Sequence, residues 1–158
     1  MGGIMKNWGK WCVAATAALA LGTIPAVASA APDGPFTYDN DLPSLGCMVV
    51  AGDGHIDMAA CDGSARQNWY REAVATGYQL RNQGTNQCVD VSAGATERAV
   101  QQVCTGAQAQ SFYRDTYPNG RVRFRSVASP GLCLDGNRKQ GPWVSLENCS
   151  DEPGQRWF

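Results

Sequence analysis

Three times along the chain, a pair of cysteines is followed by a glutamine six residues after the second cysteine. A large aromatic residue stands two positions further on. The pairs are Cys47 and Cys61, Cys88 and Cys104, and Cys133 and Cys149; the glutamines are Gln67, Gln110 and Gln155; the aromatics are Trp69, Phe112 and Trp157. A second aromatic follows each time, at Tyr70, Tyr113 and Phe158. The first cysteines lie 41 and 45 residues apart and the glutamines 43 and 45. Such a period marks an array of like units, none of which buries its apolar face alone.

Seven cysteines leave one outside this pattern, Cys12. It sits in a segment with Lys6 and Lys10, no acid before Asp33, an apolar run from Val13 to Val27, and the small-x-small end Ala28-Ser29-Ala30. That is the layout of a secretory signal peptide over residues 1–30. The apolar run is short for a membrane span, which needs about 20 residues. The expected mature chain, residues 31–158, is one domain of three repeats, roughly 31–73, 74–116 and 117–158. It carries six cysteines, a net charge of about −3, and no further apolar stretch able to cross a membrane. The near-neutral charge argues against nucleic acid or an anionic membrane surface as partner. Six cysteines in an oxidising compartment imply three disulfides, for which fifteen pairings are formally possible. The repeat is most simply closed one copy at a time, as 47–61, 88–104 and 133–149.

The local patterning is that of short strands. Ile56 and Met58, Tyr78 and Leu80, Val122 and Phe124, and Val144 and Leu146 alternate with their neighbours in the period-2 pattern of half-buried strands. Glycine and asparagine punctuate them, as at Gly52, Gly94, Asn119-Gly120 and Gly136-Asn137. No sustained helical periodicity occurs after residue 30. The expectation is an all-β chain closed on itself, because closure removes sheet edges.

The segments CDGSARQNWY, CTGAQAQSFY and CSDEPGQRWF, with Cys88-Val89-Asp90-Val91 and Cys133-Leu134-Asp135, resemble the Q-x-W repeats of the ricin B-type lectin family. The resemblance covers essentially all of residues 31–158 and implies a β-trefoil. The motif itself reads as structural: the aromatic fills a shared core, and the Gln amide satisfies backbone groups that are costly to bury unpaired.

The family's sugar pocket implies an Asp two residues after the first cysteine and an aromatic two before the second. A polar residue four before that cysteine and an Asn just before the motif Gln complete it. Sugars present hydroxyl edges and C–H faces, so a site needs directed acceptors and a flat platform. In the first copy these places hold Val49, Ala59, Asp57 and Arg66. In the second, Asp90 is present; reading its strand as one residue short puts Gln101 in the polar place and Val103 in the aromatic one, with Ala109 for Asn. The third keeps Asp135 and Ser145 but has Glu147 for the aromatic and Gly154 for Asn. Two acceptors survive and no platform does. Trp143 shares strand parity with Ser145 and Glu147 and offers a displaced platform about 13 Å from the usual one.

Asp53, His55 and Asp57 alternate like ligands, but lack the longer calcium-loop pattern and a third strong zinc ligand; no metal is expected there. Arg121, Arg123 and Arg125 leave one strand face, which suits an anion but is more simply a solvated face. No G-x-S-x-G elbow accompanies the single histidine. The expectation is therefore a secreted, non-catalytic, cofactor-free carbohydrate-binding module with eroded sugar sites, using Asp90, Gln101, Asp135, Ser145, Glu147 and Trp143. The alternative is a secreted trefoil that binds protein, or inhibits one, without sugar. The chain ends just after the third motif, so no attached catalytic domain is expected.

Overall fold

Apolar residues at every second position drive the backbone into pleated segments with one buried face. The structure, a computed structural model, describes residues 31–42, 46–137 and 141–158. The signal peptide expected over residues 1–30 lies outside the described residues. Within them run β1 (Asp33–Thr37), β2 (Cys47–Val50), β3 (Ile56–Ala59), β4 (Asn68–Ala73), β5 (Tyr78–Asn82), β6 (Cys88–Asp90), β7 (Val100–Gln102), β8 (Phe112–Thr116), β9 (Val122–Ser126), β10 (Leu132–Asn137) and β11 (Trp143–Asn148). The described residues are all-β apart from three single 3₁₀ turns, Ala65–Gln67, Gln108–Gln110 and Pro153–Gln155, each ending on a motif glutamine.

Each cysteine pair spans an antiparallel hairpin: β2 with β3, β6 with β7, β10 with β11. After the hairpin the chain returns to its own first strand, pairing β4 with β1, β8 with β5, and Trp157 with Val122. Neighbouring repeats join through β4–β5 and β8–β9. Trp157 also bridges to Asn40, which ties the end of the chain to its first repeat. The three hairpins meet through Trp143 opposite Asp57, His55 opposite Val100, and Arg98 opposite Ser145. Three like units closed in this way form a β-trefoil, and closure withdraws strand edges from solvent.

The motif aromatics meet in one core. Trp69, Phe112 and Trp157 are each fully buried, with Leu80, Phe124, Met48, Val89 and Leu134. Trp69 Nε1 donates to the Met48 carbonyl at 3.0 Å, and Trp157 Nε1 to the equivalent Leu134 carbonyl at 3.3 Å. Phe112 has no such donor, so the second copy keeps the bulk and omits the bond.

The aromatic after each motif has its own partner. Tyr70 lies opposite Arg81, and Tyr113 opposite Arg125, with the guanidinium 4.7 and 4.6 Å from the ring centres. Arg121 stacks on Phe158 at 3.9 Å. These cation–π pairs cover the outer ring faces and explain why a second aromatic recurs.

The disulfides form as the repeat implies: Cys47–Cys61, Cys88–Cys104 and Cys133–Cys149, with Cα separations of 5.1, 5.0 and 5.0 Å.

Candidate functional site

The motif glutamines brace the loops that follow the disulfides. Gln67 Oε1 accepts from the Asp62 N–H at 2.8 Å, while its Nε2 donates to the Ala60 carbonyl at 2.8 Å. Gln110 does the same with Thr105 and Val103, and Gln155 with Ser150 and Asn148. One amide thus satisfies a donor and an acceptor on either side of each second cysteine.

In the second and third copies the same Nε2 makes one more bond. Gln110 donates to Asp90 Oδ2 at 3.1 Å, and Gln155 to Asp135 Oδ2 at 3.0 Å. The two carboxylates are therefore oriented identically by the fold. Both residues are buried, at only 8 % and 9 % exposure. Asp90 Oδ1 also accepts from the Ser92 N–H at 2.8 Å. In the first copy Val49 stands in this place, paired with Asp57 across the hairpin, and Gln67 has no carboxylate to hold.

Register decides which side chains accompany each Asp. In the third copy Asp135 lies opposite Ser145 and Cys133 opposite Glu147, so these share a face. Ser145 is fully buried and its hydroxyl donates to Glu147 Oε1 at 3.2 Å. A side chain at position 154 would meet Asp135 Oδ1 at 2.3 Å, so Gly154 leaves the room that this carboxylate occupies.

In the second copy the pairing is Asp90 with Val100, Val89 with Gln101, and Cys88 with Gln102. This corrects the placement of Gln101 beside Asp90. The strand is not one residue short, and a one-residue offset moves a side chain to the opposite face. Val100 holds the polar place and exposed Gln102 the platform place, whereas Gln101 turns toward Gly54 of the first copy. Val103, which is 69 % exposed, lies beyond the strand.

Trp143 belongs to the junction of the hairpins. It pairs with Asp57, its half-buried ring lies against Gly141, and the Arg98 guanidinium sits 5.8 Å from its centre. Arg98 also bonds Asp57 Oδ1 at 2.6 Å and Asp53 Oδ2 at 3.4 Å, and His55 Nδ1 lies 3.1 Å from Asp53. The cation that the alternating Asp53 and Asp57 hold is thus Arg98.

The arginines of β9 have internal partners as well. Arg121 pairs with Asp41, while Arg123 and Arg125 both bond Asp115, at 3.2 and 3.1 Å. The hydrogen bond from Arg125, the largest effect, holds the Asp115 carboxyl below the usual range against the opposing effect of burial, with a further hydrogen bond and the charge of Arg123 adding to it. A depressed folded value stabilises the protein above the unfolded value, near 4, and the gain is lost as pH falls through the folded one. Asp115→Asn is expected to reduce unfolding free energy at pH 7 by about 1 kcal/mol, the scale of a partly exposed ion pair. In urea titrations the gap between variant and parent should close as pH is lowered below about 4.

The family described as ricin-type beta-trefoil lectin domain-like matches residues 65–143. No curated protein matches the chain. Among solved structures, the designed three-fold symmetric protein ThreeFoil is 18 % identical, with 70 % of this chain and 87 % of that one covered at a TM-score of 0.64. The Polyporus squamosus lectin, solved with a human-type influenza-binding epitope, is 15 % identical over 79 % of this chain and 48 % of its own, at a TM-score of 0.67. An endo-β-galactosidase of Clostridium perfringens is 11 % identical over 77 % of this chain and 30 % of its own, at 0.68. The chain thus spans about half of that lectin and about a third of that enzyme. Among the described residues, no helix is long and apolar enough to cross a membrane.

Proposed function

The chain belongs to the ricin-type β-trefoil lectin-like family, and on that premise we propose that it is a secreted, non-catalytic module that binds carbohydrate weakly or with altered specificity. The observation that carries this reading is the matched pair Asp90 and Asp135. Each carboxylate is held by its motif glutamine, two residues after its cysteine, the place from which the family's Asp accepts sugar hydroxyls. Glu147 stands beside Asp135 as a further acceptor, and Trp143 flanks it at the hairpin junction. Weakness follows from the platform places, which hold Ala59, Gln102 and Glu147 instead of a ring. A missing ring forfeits about 1 kcal/mol of aromatic contact besides its buried area. Three disulfides and the leader-like residues 1–30 support an extracellular location.

Retention on immobilised glycans tests this. The parent chain is expected to be retained on at least one glycan. Asp90→Asn combined with Asp135→Asn should lower that affinity by more than tenfold, because a hydrogen bond to a charged acceptor is worth about 1.5–3 kcal/mol. Asparagine keeps one oxygen for the glutamine Nε2 but turns its amide nitrogen to the Ser92 N–H at position 90, so circular dichroism and thermal unfolding of the variant are measured beside its binding. A folded parent retained on no glycan would sink the reading. The absent rings favour the second reading, a trefoil that binds protein through its loops. Its mark is a co-purifying protein that free sugar does not displace.

A further inference from the structure

A cleft of about 410 Å³ opens between the turn after β8 and the loop before the third motif, lined by Tyr117, Pro118, Asn119, Asp151 and Arg156. The turn is tightly set. Tyr117 N–H donates to the Arg121 carbonyl at 2.8 Å, Gly120 N–H to the Tyr117 carbonyl at 3.0 Å, and Arg121 N–H to Asn119 Oδ1 at 3.2 Å. Across the cleft, Arg156 donates to the Asp151 carbonyl at 2.8 Å and lies 3.4 Å from Asp41. The Tyr117 hydroxyl donates to Asp151 Oδ1 at 3.2 Å, and this carboxylate is 83 % exposed.

The fold does not require these residues. Five positions after the motif aromatic, where the third copy's boundary has Tyr117, the preceding boundary has Val74. Four positions before the motif Gln, where Asp151 stands, the second copy has Gly106, and it has Ser111 where Arg156 follows the Gln. There the apolar Val74 side chain simply lies against Gly106. One boundary is thus closed by packing, and the equivalent boundary is open and polar.

We propose that this cleft is a second carbohydrate site, one that takes one or two neutral pyranose rings. The inference rests on the carbohydrate-binding reading but uses none of Asp90, Asp135 and Glu147. It unites a ring and an exposed carboxylate in one cleft, whereas the platform places of the repeats hold Ala59, Gln102 and Glu147. Its volume falls in the range of small-ligand sites. Each charge at the cleft has a counter-charge, Arg123 3.7 Å from the Asp151 carboxylate and Arg156 3.4 Å from Asp41, so hydroxyls are favoured over an ionic ligand. The Arg123 guanidinium sits 5.7 Å from the centre of the half-buried Tyr117 ring; the other ring face is the one for sugar C–H groups, while Asp151 accepts from hydroxyls and Asn119 and Arg156 donate to them.

The test is a titration of the full chain, disulfides formed, with lactose, cellobiose and chitobiose at millimolar concentration, followed by amide NMR. In the Asp90→Asn, Asp135→Asn background, at least one disaccharide is expected to shift the signals of Tyr117, Asn119, Asp151 and Arg156. Tyr117→Ala should weaken that binding about tenfold, the loss of a stacking ring and its contact area. Asp151→Asn, which keeps the shape of the site, should weaken it several-fold. Binding that shifts only the repeat pockets, and is unchanged by Tyr117→Ala and Asp151→Asn, overturns the inference and leaves the family reading standing. A folded parent that shows no shift with any sugar overturns both.

Discussion

Trp69→Ala is expected to destabilise the protein by about 3–5 kcal/mol, the usual range for truncating a buried aromatic. Trp69 is fully buried in the core that all three repeats share, so no single repeat can collapse around the vacancy. The substitution also removes the Nε1 donor from the Met48 carbonyl, which is then buried without that partner. Against a total of about 5–15 kcal/mol for an ordinary domain, this removes a large share of the stability. Urea unfolding followed by tryptophan fluorescence measures it. Trp69→Phe is the informative companion, because the second copy already has Phe112 in the same place. It should cost about 1–2 kcal/mol, mainly the lost hydrogen bond. A loss below about 1 kcal/mol for the alanine variant would contradict a core shared by the repeats.

Reduction of the disulfides has the other large effect. Their sequence separations are 14, 16 and 16, and a loop of about 15 residues restricts the unfolded chain by about 3 kcal/mol. Replacing Cys133 and Cys149 together by serine should therefore lower stability by about 3 kcal/mol. Reducing all three should remove about 9 kcal/mol, enough to unfold a domain of ordinary stability at 37 °C. Thermal unfolding with and without reductant checks the total, and the double variant checks the share of one bridge. Unchanged melting of the fully reduced chain would contradict it. Peptide mapping of the oxidised protein should recover 47–61, 88–104 and 133–149 alone.

The repeat was legible because its signals are short-range and occur three times. A cysteine pair, a Gln and an aromatic at constant offsets report local requirements: a hairpin to staple, a loop to brace and a core to fill. The second aromatic was visible as a regularity, but its cause was not. Tyr70 and Tyr113 are stacked by arginines on the neighbouring strand, and only strand pairing brings Arg81 and Arg125 opposite them. Gln101 shows the same limit at the candidate site. Counting along the strand put it beside Asp90, whereas the observed register turns it to the other face. Ser145 was legible as a neighbour of Asp135, but not as a fully buried one.

The sequence alone thus determined the architecture of this protein. Each unit carries its own bridge, brace and core residue, and three such units can bury their apolar faces only against one another. The two Asp positions were legible for the same reason, since each follows its cysteine by two residues. Which surfaces are open was decided by the tertiary structure. Arg98 reaches Asp57, Arg123 and Arg125 reach Asp115, and Tyr117 meets Asp151 from 34 residues away. These encounters depend on strand register and on closure of the ring, which set positions across repeats that no local spacing encodes.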